Sequence, residues 1–230
     1  MKEVLLGATG VIDRVRQNTL IVNMSTIGST AAKEIGQKLQ QKQLRFMDAP
    51  VSGGDIGARN GTLTIMVGGS EADFEECKPL FEAMGSNITL CGDIGSEQGV
   101  KMCNQILCSL YMVGLCEAMD LAQQQGIDPN LVVEVCGTGA AGSWALSNLG
   151  TKIIEADYAP GFAIKHIVKD LRLVLATDRT SGDNLPGTKL AERLLFKAVQ
   201  QMDEEQGREQ GTQAMMRAYR STIDNTTNVN

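Results

Sequence analysis

Residues 44–69 read LRFMDAPVSGGDIGARNGTLTIMVGG, two strand-like apolar runs on either side of a glycine-rich segment. A strand that leads into glycines is how parallel-sheet proteins bring backbone N–H groups close to an anion, because glycine permits close approach and positive φ. The glycine spacing matches neither the GxGxxG fingerprint nor a P-loop. By itself the segment leaves two interpretations open: an anion-binding turn, or a long surface loop whose glycines only make turns.

Short β-rich runs alternate with helix-like runs on both sides of this segment. TLIVNMS at residue 19 precedes the helical pattern STAAKEIGQKLQQKQ, and TLTIMVGG precedes EADFEECKPLFEAMG and then NITLCG, which ends at residue 92. Steady alternation of strand and helix predicts a parallel sheet covered by helices. After residue 94 the strand signals stop, so we expect an α/β domain over residues 1–93 and an all-α domain over residues 94–230.

The second part of the chain carries a series of helical patterns. The first, from Ser96 to Gln125, has apolar residues on more than one face, which predicts a buried helix between the two domains. Residues 221–230 lack apolar periodicity and are predicted to be a disordered tail. Further helices are predicted at 129–137, 143–155, 162–180 and 187–219, the last one broken near Gly207 and Gly211.

Composition excludes several classes of protein. With 230 residues, 43% of them apolar and a formal net charge of −6, the chain is globular and is a poor partner for nucleic acid. It contains no run of 18 apolar residues and no signal-peptide pattern, so we expect no membrane association and a cytoplasmic or organelle-matrix location. The six cysteines form no CxxC pair and His166 is the one histidine, so we expect reduced thiols and no metal site.

A lysine stands where an apolar helix begins, in GDIGSEQGVKMCNQ (residues 92–105). Lys101 shares one helical face with Asn104, Gln105 and Cys108. The helix dipole disfavours a cation near the N-terminal end, so this lysine needs a partner, a route to solvent or a function. The alternative is that Lys101 reaches solvent from an interdomain groove while the two amides cap neighbouring backbone.

A basic stripe follows in PGFAIKHIVKDLRLVL (residues 160–175), where Lys165, Lys169 and Arg172 recur at helical spacing. Such a stripe on an amphipathic helix is either a solvated face or a place where an anionic ligand binds. His166 on the same helix has no second ligand nearby and is interpreted as structural.

These stretches together resemble the β-hydroxyacid dehydrogenase family. DAPVSGG, the segment that ends in KMCNQ, and PGF with KDL match its motifs, and VNMST stands where the family has DxST; the match covers roughly residues 3–220. The NQ pair, GAAGS and PGF are most similar to the tartronate semialdehyde reductase and glyoxylate reductase branch, with 3-hydroxyisobutyrate dehydrogenase close behind.

The resemblance implies a fold and a reaction. The fold is the C-terminal part of a Rossmann-like parallel sheet followed by a helical domain similar to that of 6-phosphogluconate dehydrogenase. Enzymes of the family transfer a hydride between NAD or NADP and the β-carbon of a small hydroxy or oxo acid. The residues that match their substrate side are Lys101 as proton donor and acceptor, Ser52, Gly53 and Gly54 at the substrate carboxylate, and Asn104 with Gln105 beside the lysine.

The resemblance also implies cofactor contacts and an assembly. Ser25 and Thr26 match residues near the nicotinamide, Lys169 matches a lysine that reaches the cofactor, and Phe162 and Asp170 match residues that flank the cleft. The residues expected to line one cleft are Ser52, Gly53, Gly54, Lys101, Asn104 and Lys169. The protein is expected to form a homo-oligomer. Three departures are Asn23 where the family usually has aspartate, Gly28 where it often has proline, and Gln105 where other branches have asparagine.

No GxGxxG pattern occurs in residues 1–93, the part of the chain that would carry the turn that opens the family's sheet. Most of the grip on pyrophosphate and adenine comes from that unit, so we expect this chain alone to bind NAD or NADP with a dissociation constant on the order of a millimolar or weaker. The alternative hypothesis is therefore a truncated, catalytically inactive, dehydrogenase-like oligomerisation or interaction module. Lys101 favours the enzyme, because an inactive module has no use for it.

Overall fold

A computed structural model describes residues 1–177 and 184–220. The chain divides into two compact units, the first ending at Asn104 and the second beginning at Gln105. The units therefore meet inside the first helix of the helical region, some ten residues after the predicted domain boundary. That boundary, near residue 94, stays a prediction. The predicted tail, residues 221–230, and the end of the predicted 162–180 helix lie outside the described residues.

The first unit is a five-stranded sheet with helices. Its strands are β1 (Leu20–Asn23), β2 (Arg45–Asp48), β3 (Val51–Ser52), β4 (Leu63–Gly68) and β5 (Gly85–Gly92), and its helices are α1 (Lys2–Leu6), α2 (Ser29–Gln41), α3 (Gly54–Asn60) and α4 (Glu71–Glu82). A single turn of 3₁₀ helix, Val11–Asp13, lies between α1 and β1. Helix α5 (Ser96–Gln124) begins in this unit and continues into the second.

The expectation of a parallel sheet is wrong in one respect, because the sheet is mixed. Strands β1 and β2 are parallel, as are β4 and β5, but β4 runs antiparallel to both β2 and β3. The pairing passes without a shift from Asp48 opposite Gly68 to Ser52 opposite Thr64, so β2 and β3 form one strand interrupted at Ala49 and Pro50. Helix α3 closes a hairpin here, whereas the alternation of strand and helix patterns predicted parallel strands.

Helices cover both faces of this sheet. Phe46 and Met47 are neighbours on β2, and because successive side chains of a strand point to opposite faces they enter different cores. Phe46 packs with Ile35 and Leu39 of α2, whereas Met47 packs in a cluster that contains Phe81 of α4. The two-sided burial explains why the strands read as nearly continuous apolar runs.

The second unit is helical, as expected. After α5 come α6 (Pro129–Gly137), α7 (Trp144–Ile154), α8 (Ile164–Thr177), α9 (Pro186–Gln200), α10 (Glu204–Glu209), a 3₁₀ segment (Thr212–Met216) and α11 (Arg217–Arg220). Its core is apolar and draws on most of these elements, with Cys116, Ile167, Leu171, Leu195 and Met215 among the most buried side chains.

The predicted break near Gly207 is wrong. That glycine lies inside α10, packed against Val199, and the chain breaks earlier, between α9 and α10. Asp203 starts the new helix there, because its side chain accepts hydrogen bonds from the N–H groups of Glu205 and Gln206. The break expected near Gly211 is confirmed, since α10 ends at Glu209.

The prediction that α5 is a buried helix is wrong for part of its surface. Met112, Cys116 and Met119 are buried, but Leu107, Tyr111 and Leu121 are 52%, 48% and 54% exposed. Within the described ranges, α5 is the one helix whose length and composition would allow a membrane span, which is weak information by itself because core helices pass the same test. The apolar surface of α5 is therefore divided between a packed stripe and an open one.

Candidate active site

The last residues of two parallel strands meet at one edge of the sheet. Asn23 ends β1, Asp48 ends β2, and the two are register partners. The Asn23 amide donates a hydrogen bond of 2.7 Å from Nδ2 to Asp48 Oδ1. Residues 24–28 leave β1 at this edge and lead into α2, so this loop occupies the position where open α/β sheets bind ligands.

Gln98, in the first turn of α5, ties that loop to the sheet. Its Nε2 donates to the carbonyl of Ser25 at 3.0 Å and to Asp48 Oδ2 at 2.9 Å. Its Oε1 accepts from the backbone N–H groups of Ile27 and Gly28, each at 3.0 Å. The Gln98 side chain is fully buried. Its bonds to Gly28 and Asp48 are buried, and those to Ser25 and Ile27 are partly buried.

Glu97 brings a second carboxyl group to the same place. Both of its oxygens accept from the N–H of Gly95, at 2.9 and 2.8 Å, and its carboxyl group is hydrogen-bonded to that of Asp48. Gly68 makes the space, because a Cβ atom there would lie 1.6 Å from Glu97 Oε2. Asn23, Asp48, Glu97 and Gln98 are called the edge cluster below.

Burial governs the protonation of the edge cluster. Both carboxyl groups are withdrawn from water, and desolvation is the main cause that raises the pKa of Asp48, to about 7, and also raises the pKa of Glu97. The amides of Gln98 and Asn23 oppose the shift at Asp48 because they donate to its charged form. Two carboxyl groups in contact titrate as a pair, and burial keeps a proton on this pair to a higher pH than on separate carboxyl groups in water.

The predicted anion-binding turn has a backbone that requires glycine. Ser52 ends β3, and Gly53 and Gly54 follow with φ values of 132° and 63°. Both glycines are exposed, and no side chain caps the first turn of α3. The N–H groups at a helix start have no intrahelical acceptor, so this turn is suited to an anion. Ser25 is exposed and Thr26 half-buried in the loop after β1.

The predicted proton donor lies one turn after the edge cluster on α5. Lys101 is 5% exposed, and Gln105, one further turn along, is 2% exposed; Asn104 between them is half-buried. Cys108, on the same helical face, is exposed. Helix α5 therefore withdraws an ammonium and an amide from water on one face.

A second polar group lies in the helical unit. Gln105 Nε2 donates to Asp170 Oδ2 at 2.6 Å, and the Lys169 ammonium lies 2.8 Å from Asp170 Oδ1. The Asp170 side chain is 4% exposed and that of Lys169 is 49% exposed. Gln105, Lys169 and Asp170 are called the helical cluster below. Phe162, also predicted at the cofactor, stacks on His166 with ring centroids 5.9 Å apart.

The structure brings some predicted residues together and adds three that the sequence reading missed. Gln105, Lys169 and Asp170 were all predicted, and they are in contact. Asp48, Glu97 and Gln98 were not assigned, although polar residues at the end of an apolar strand and in the first turn of an apolar helix were the available signal.

Comparison with known proteins places the chain in a class. One family model, the NAD binding domain of 6-phosphogluconate dehydrogenase, matches residues 1–92, and another, the NAD-binding domain of NADP-dependent 3-hydroxyisobutyrate dehydrogenase, matches residues 95–219. The chain is 51% identical over 222 residues to an uncharacterized oxidoreductase of Synechocystis, which covers 96% of the chain and 74% of that protein.

Two further relatives carry the names of specific enzymes. The chain is 41% identical over 194 residues to the 2-hydroxy-3-oxopropionate reductase of Escherichia coli, covering 84% of the chain and 66% of that enzyme. The crystal structure of 3-hydroxyisobutyrate dehydrogenase from Salmonella typhimurium superposes with a TM-score of 0.82 at 31% identity, covering 94% of the chain and 74% of that protein.

The fold and these matches define an NAD(P)-dependent oxidoreductase with a Rossmann-like unit and a helical unit. The chain belongs to the β-hydroxyacid dehydrogenase family, and its cofactor is NAD or NADP. The described residues fit such a cofactor, because the loop after β1 lies at the carboxyl edge of the sheet, where open α/β sheets bind ligands, and Gln98 holds its backbone.

Proposed function

We propose that the protein transfers a hydride between NAD(P) and a small β-hydroxy or β-oxo (semialdehyde) acid, with Lys101 as the proton donor and acceptor. The observation that carries the proposal is the burial of Lys101 in a member of this family. Withdrawing an ammonium from water costs free energy, and a chain keeps such a group where the charge has a partner or a task. Lysine suits the task because, unlike arginine, it can release its proton.

In this proposal each residue on the substrate side has its own role in binding or catalysis. Lys101 protonates the substrate oxygen during reduction and stabilises the developing alkoxide. The backbone at Ser52, Gly53 and Gly54 binds the substrate carboxylate. Asn104 hydrogen-bonds the substrate beside the lysine, and Gln105, whose amide already donates to Asp170, borders the same site.

The cofactor side is assigned to two segments. NAD(P), when bound, supplies or accepts the hydride. We assign Ser25 and Thr26 to the nicotinamide end, and Phe162, Lys169 and Asp170 to the helical side. The contact between Lys169 and Asp170 fixes where the ammonium points, which favours a defined contact over a freely moving charge.

For the substrate we favour 2-hydroxy-3-oxopropionate over the 3-hydroxyisobutyrate pair. The support is the 41% identity to a 2-hydroxy-3-oxopropionate reductase, together with the Asn104–Gln105 pair of that branch. A hydroxyl on C2 needs a hydrogen-bonding partner, whereas a methyl group needs an apolar one, so the two acids demand different surroundings.

A substrate panel tests the proposal. Oxidation of NADH and of NADPH by the purified protein is followed at 340 nm with 2-hydroxy-3-oxopropionate, glyoxylate and 2-methyl-3-oxopropionate, the aldehyde form of 3-hydroxyisobutyrate. We expect kcat/KM for 2-hydroxy-3-oxopropionate to exceed that for the methyl compound by about tenfold or more. The reverse order would contradict the substrate assignment, and no turnover of any acid would favour the inactive module.

We also propose that the protein forms a homo-oligomer. The helical unit exposes large apolar side chains, among them Leu131, Val135 and Trp144, which are 51%, 59% and 59% exposed. Exposed apolar surface of this kind favours self-association. Light scattering at several concentrations measures the mass, and a monomer at all of them would contradict the proposal.

A further inference from the structure

Gln98 uses the whole hydrogen-bonding capacity of its side chain. A primary amide has two N–H donors and two lone pairs on its oxygen. Here the donors go to Ser25 O and Asp48 Oδ2, and the oxygen accepts from the N–H groups of Ile27 and Gly28. Three of the four bonds therefore hold the backbone of the loop after β1, and the fourth fastens it to the end of β2.

The departures from the family pattern supply donors to the same network. Gly28 stands where the family often has proline, and it offers Gln98 an N–H that proline lacks, at a φ of 82° that proline does not adopt. Asn23 stands where the family usually has aspartate, and it donates to Asp48, which in turn accepts from Gln98. Both substitutions suit a loop that is held by side-chain amides.

We propose that Gln98 is a positioning residue that fixes the Ser25–Gly28 backbone in advance for the nicotinamide end of NAD(P). The proposal rests on the proposed function, which places Ser25 and Thr26 at the cofactor. Gln98 does not touch the cofactor in this scheme and acts through the loop.

A loop that is ordered before binding saves the entropy that a mobile loop loses when a ligand arrives. Releasing the loop should therefore weaken cofactor binding specifically. A general loss of folded protein would instead lower the apparent kcat and leave the KM values unchanged. This difference separates positioning from support of the fold.

Two substitutions release the loop in different ways. Gln98→Glu keeps the shape but places an acceptor opposite Ser25 O and Asp48 Oδ2, while Gln98→Met removes all four hydrogen bonds at similar volume. Cys103→Ala is the matched control, because Cys103 is exposed on the same helix.

In steady-state assays of the purified protein, we expect either Gln98 variant to raise the KM for the dinucleotide about tenfold or more. The KM for the acid should stay within about twofold, and Cys103→Ala should match the wild type. An unchanged dinucleotide KM in a folded Gln98 variant would overturn the proposal.

Amide hydrogen exchange tests the hold on the loop without any turnover. In the wild type, the N–H groups of Ile27 and Gly28 should exchange at least roughly a hundredfold more slowly than in an unstructured peptide, and the Gln98 variants should lose about tenfold of that protection. Fast exchange in the wild type would overturn the proposal even if neither variant folds. The protein could instead turn over none of the acids while protection of Ile27 and Gly28 still depends on Gln98. That result would contradict the proposed function but not the role of Gln98 in ordering the loop.

Discussion

The two units of the chain each bury a carboxyl group, and they compensate its charge by different means. In the edge cluster, Asp48 contacts a second carboxyl group, that of Glu97, and two side-chain amides. In the helical cluster, Asp170 lies against the Lys169 ammonium and the Gln105 amide. One arrangement holds a proton, and the other holds a fixed counter-charge.

This difference has consequences for how each unit responds to its surroundings. A shared proton is lost as the pH rises, so the edge cluster makes the sheet unit sensitive to pH near neutrality. In the helical cluster Lys169 is half exposed, so its ammonium can contact solvent or a ligand while it lies against Asp170. The Lys169 ammonium that we assign to the cofactor is thus held by a residue of its own helix, Asp170.

The largest effect is expected from filling the space beside Glu97. In Gly68→Ala the new Cβ would displace the Glu97 carboxyl group from Gly95 and Asp48, so we expect the free energy of unfolding to fall by about 3 kcal/mol. Urea unfolding measures the loss. The control is Gly114→Ala, in the middle of α5 with nothing near the added atom, which should stabilise by about 0.5–1 kcal/mol. Equal effects at the two positions would contradict the packing described at Gly68.

A smaller loss is expected in the helical cluster. Lys169→Met leaves Asp170 buried with its neighbouring cation removed, and because that cation is half exposed we expect a cost of about 2 kcal/mol, less than for a fully buried pair. Lys165 is the matched control on α8, since it pairs with Glu209 in an exposed ion pair. Lys165→Met should cost about 0.5 kcal/mol or less. Similar losses in the two variants would show that burial of Asp170 does not matter.

A change that depends on pH is expected from replacing the shared proton with a permanent donor. In Glu97→Gln the amide can donate to Asp48 and still accept from Gly95, which copies the protonated pair. The raised pKa values make the wild-type contribution full near pH 4 and progressively lost as the pH rises through about 7. The stability of Glu97→Gln relative to the wild type should therefore increase between pH 5 and pH 7, by roughly 1 kcal/mol per pH unit.

Thermal and urea unfolding between pH 5 and pH 8 supply the two stability curves for Glu97→Gln. Subtracting the wild-type curve removes the titration of all groups outside the edge cluster. Parallel curves would mean that Asp48 and Glu97 do not share a titrating proton.

Much of the fold can be predicted from local sequence. The predictions that were wrong concern contacts between residues that are far apart in the chain. Helices α5, α6 and α7 match their predicted ranges because apolar periodicity and flanking turn residues act within a few positions. The direction of β4 was missed because the alternation of strand and helix patterns does not show that the glycine-rich segment before Leu63 forms α3 and closes a hairpin. The exposure of Leu107 and Tyr111 was missed because the sequence does not show whether another part of the chain packs against an apolar residue.

The site residues also differ in whether local sequence was enough to identify them. Lys101, Asn104 and Gln105 are recognisable because one helical face carries them, and the contact between Lys169 and Asp170 joins neighbours in sequence. The role of Gln98 depends on Asp48 and on Gly28, which are 50 and 70 positions away. No local pattern in the chain indicates those partners, so three-dimensional structure was needed to find them.

The central claim is that Lys101 transfers the proton during hydride transfer. The most direct test is kcat for the preferred semialdehyde acid in Lys101→Met and Lys101→Arg, with exposed Cys103→Ala as control. Loss of a positioned acid–base group should lower kcat by a factor on the order of 10² or more in both Lys101 variants, because arginine keeps the charge but does not release a proton. Wild-type kcat in Lys101→Met, or in Lys101→Arg alone, would contradict proton transfer by this lysine.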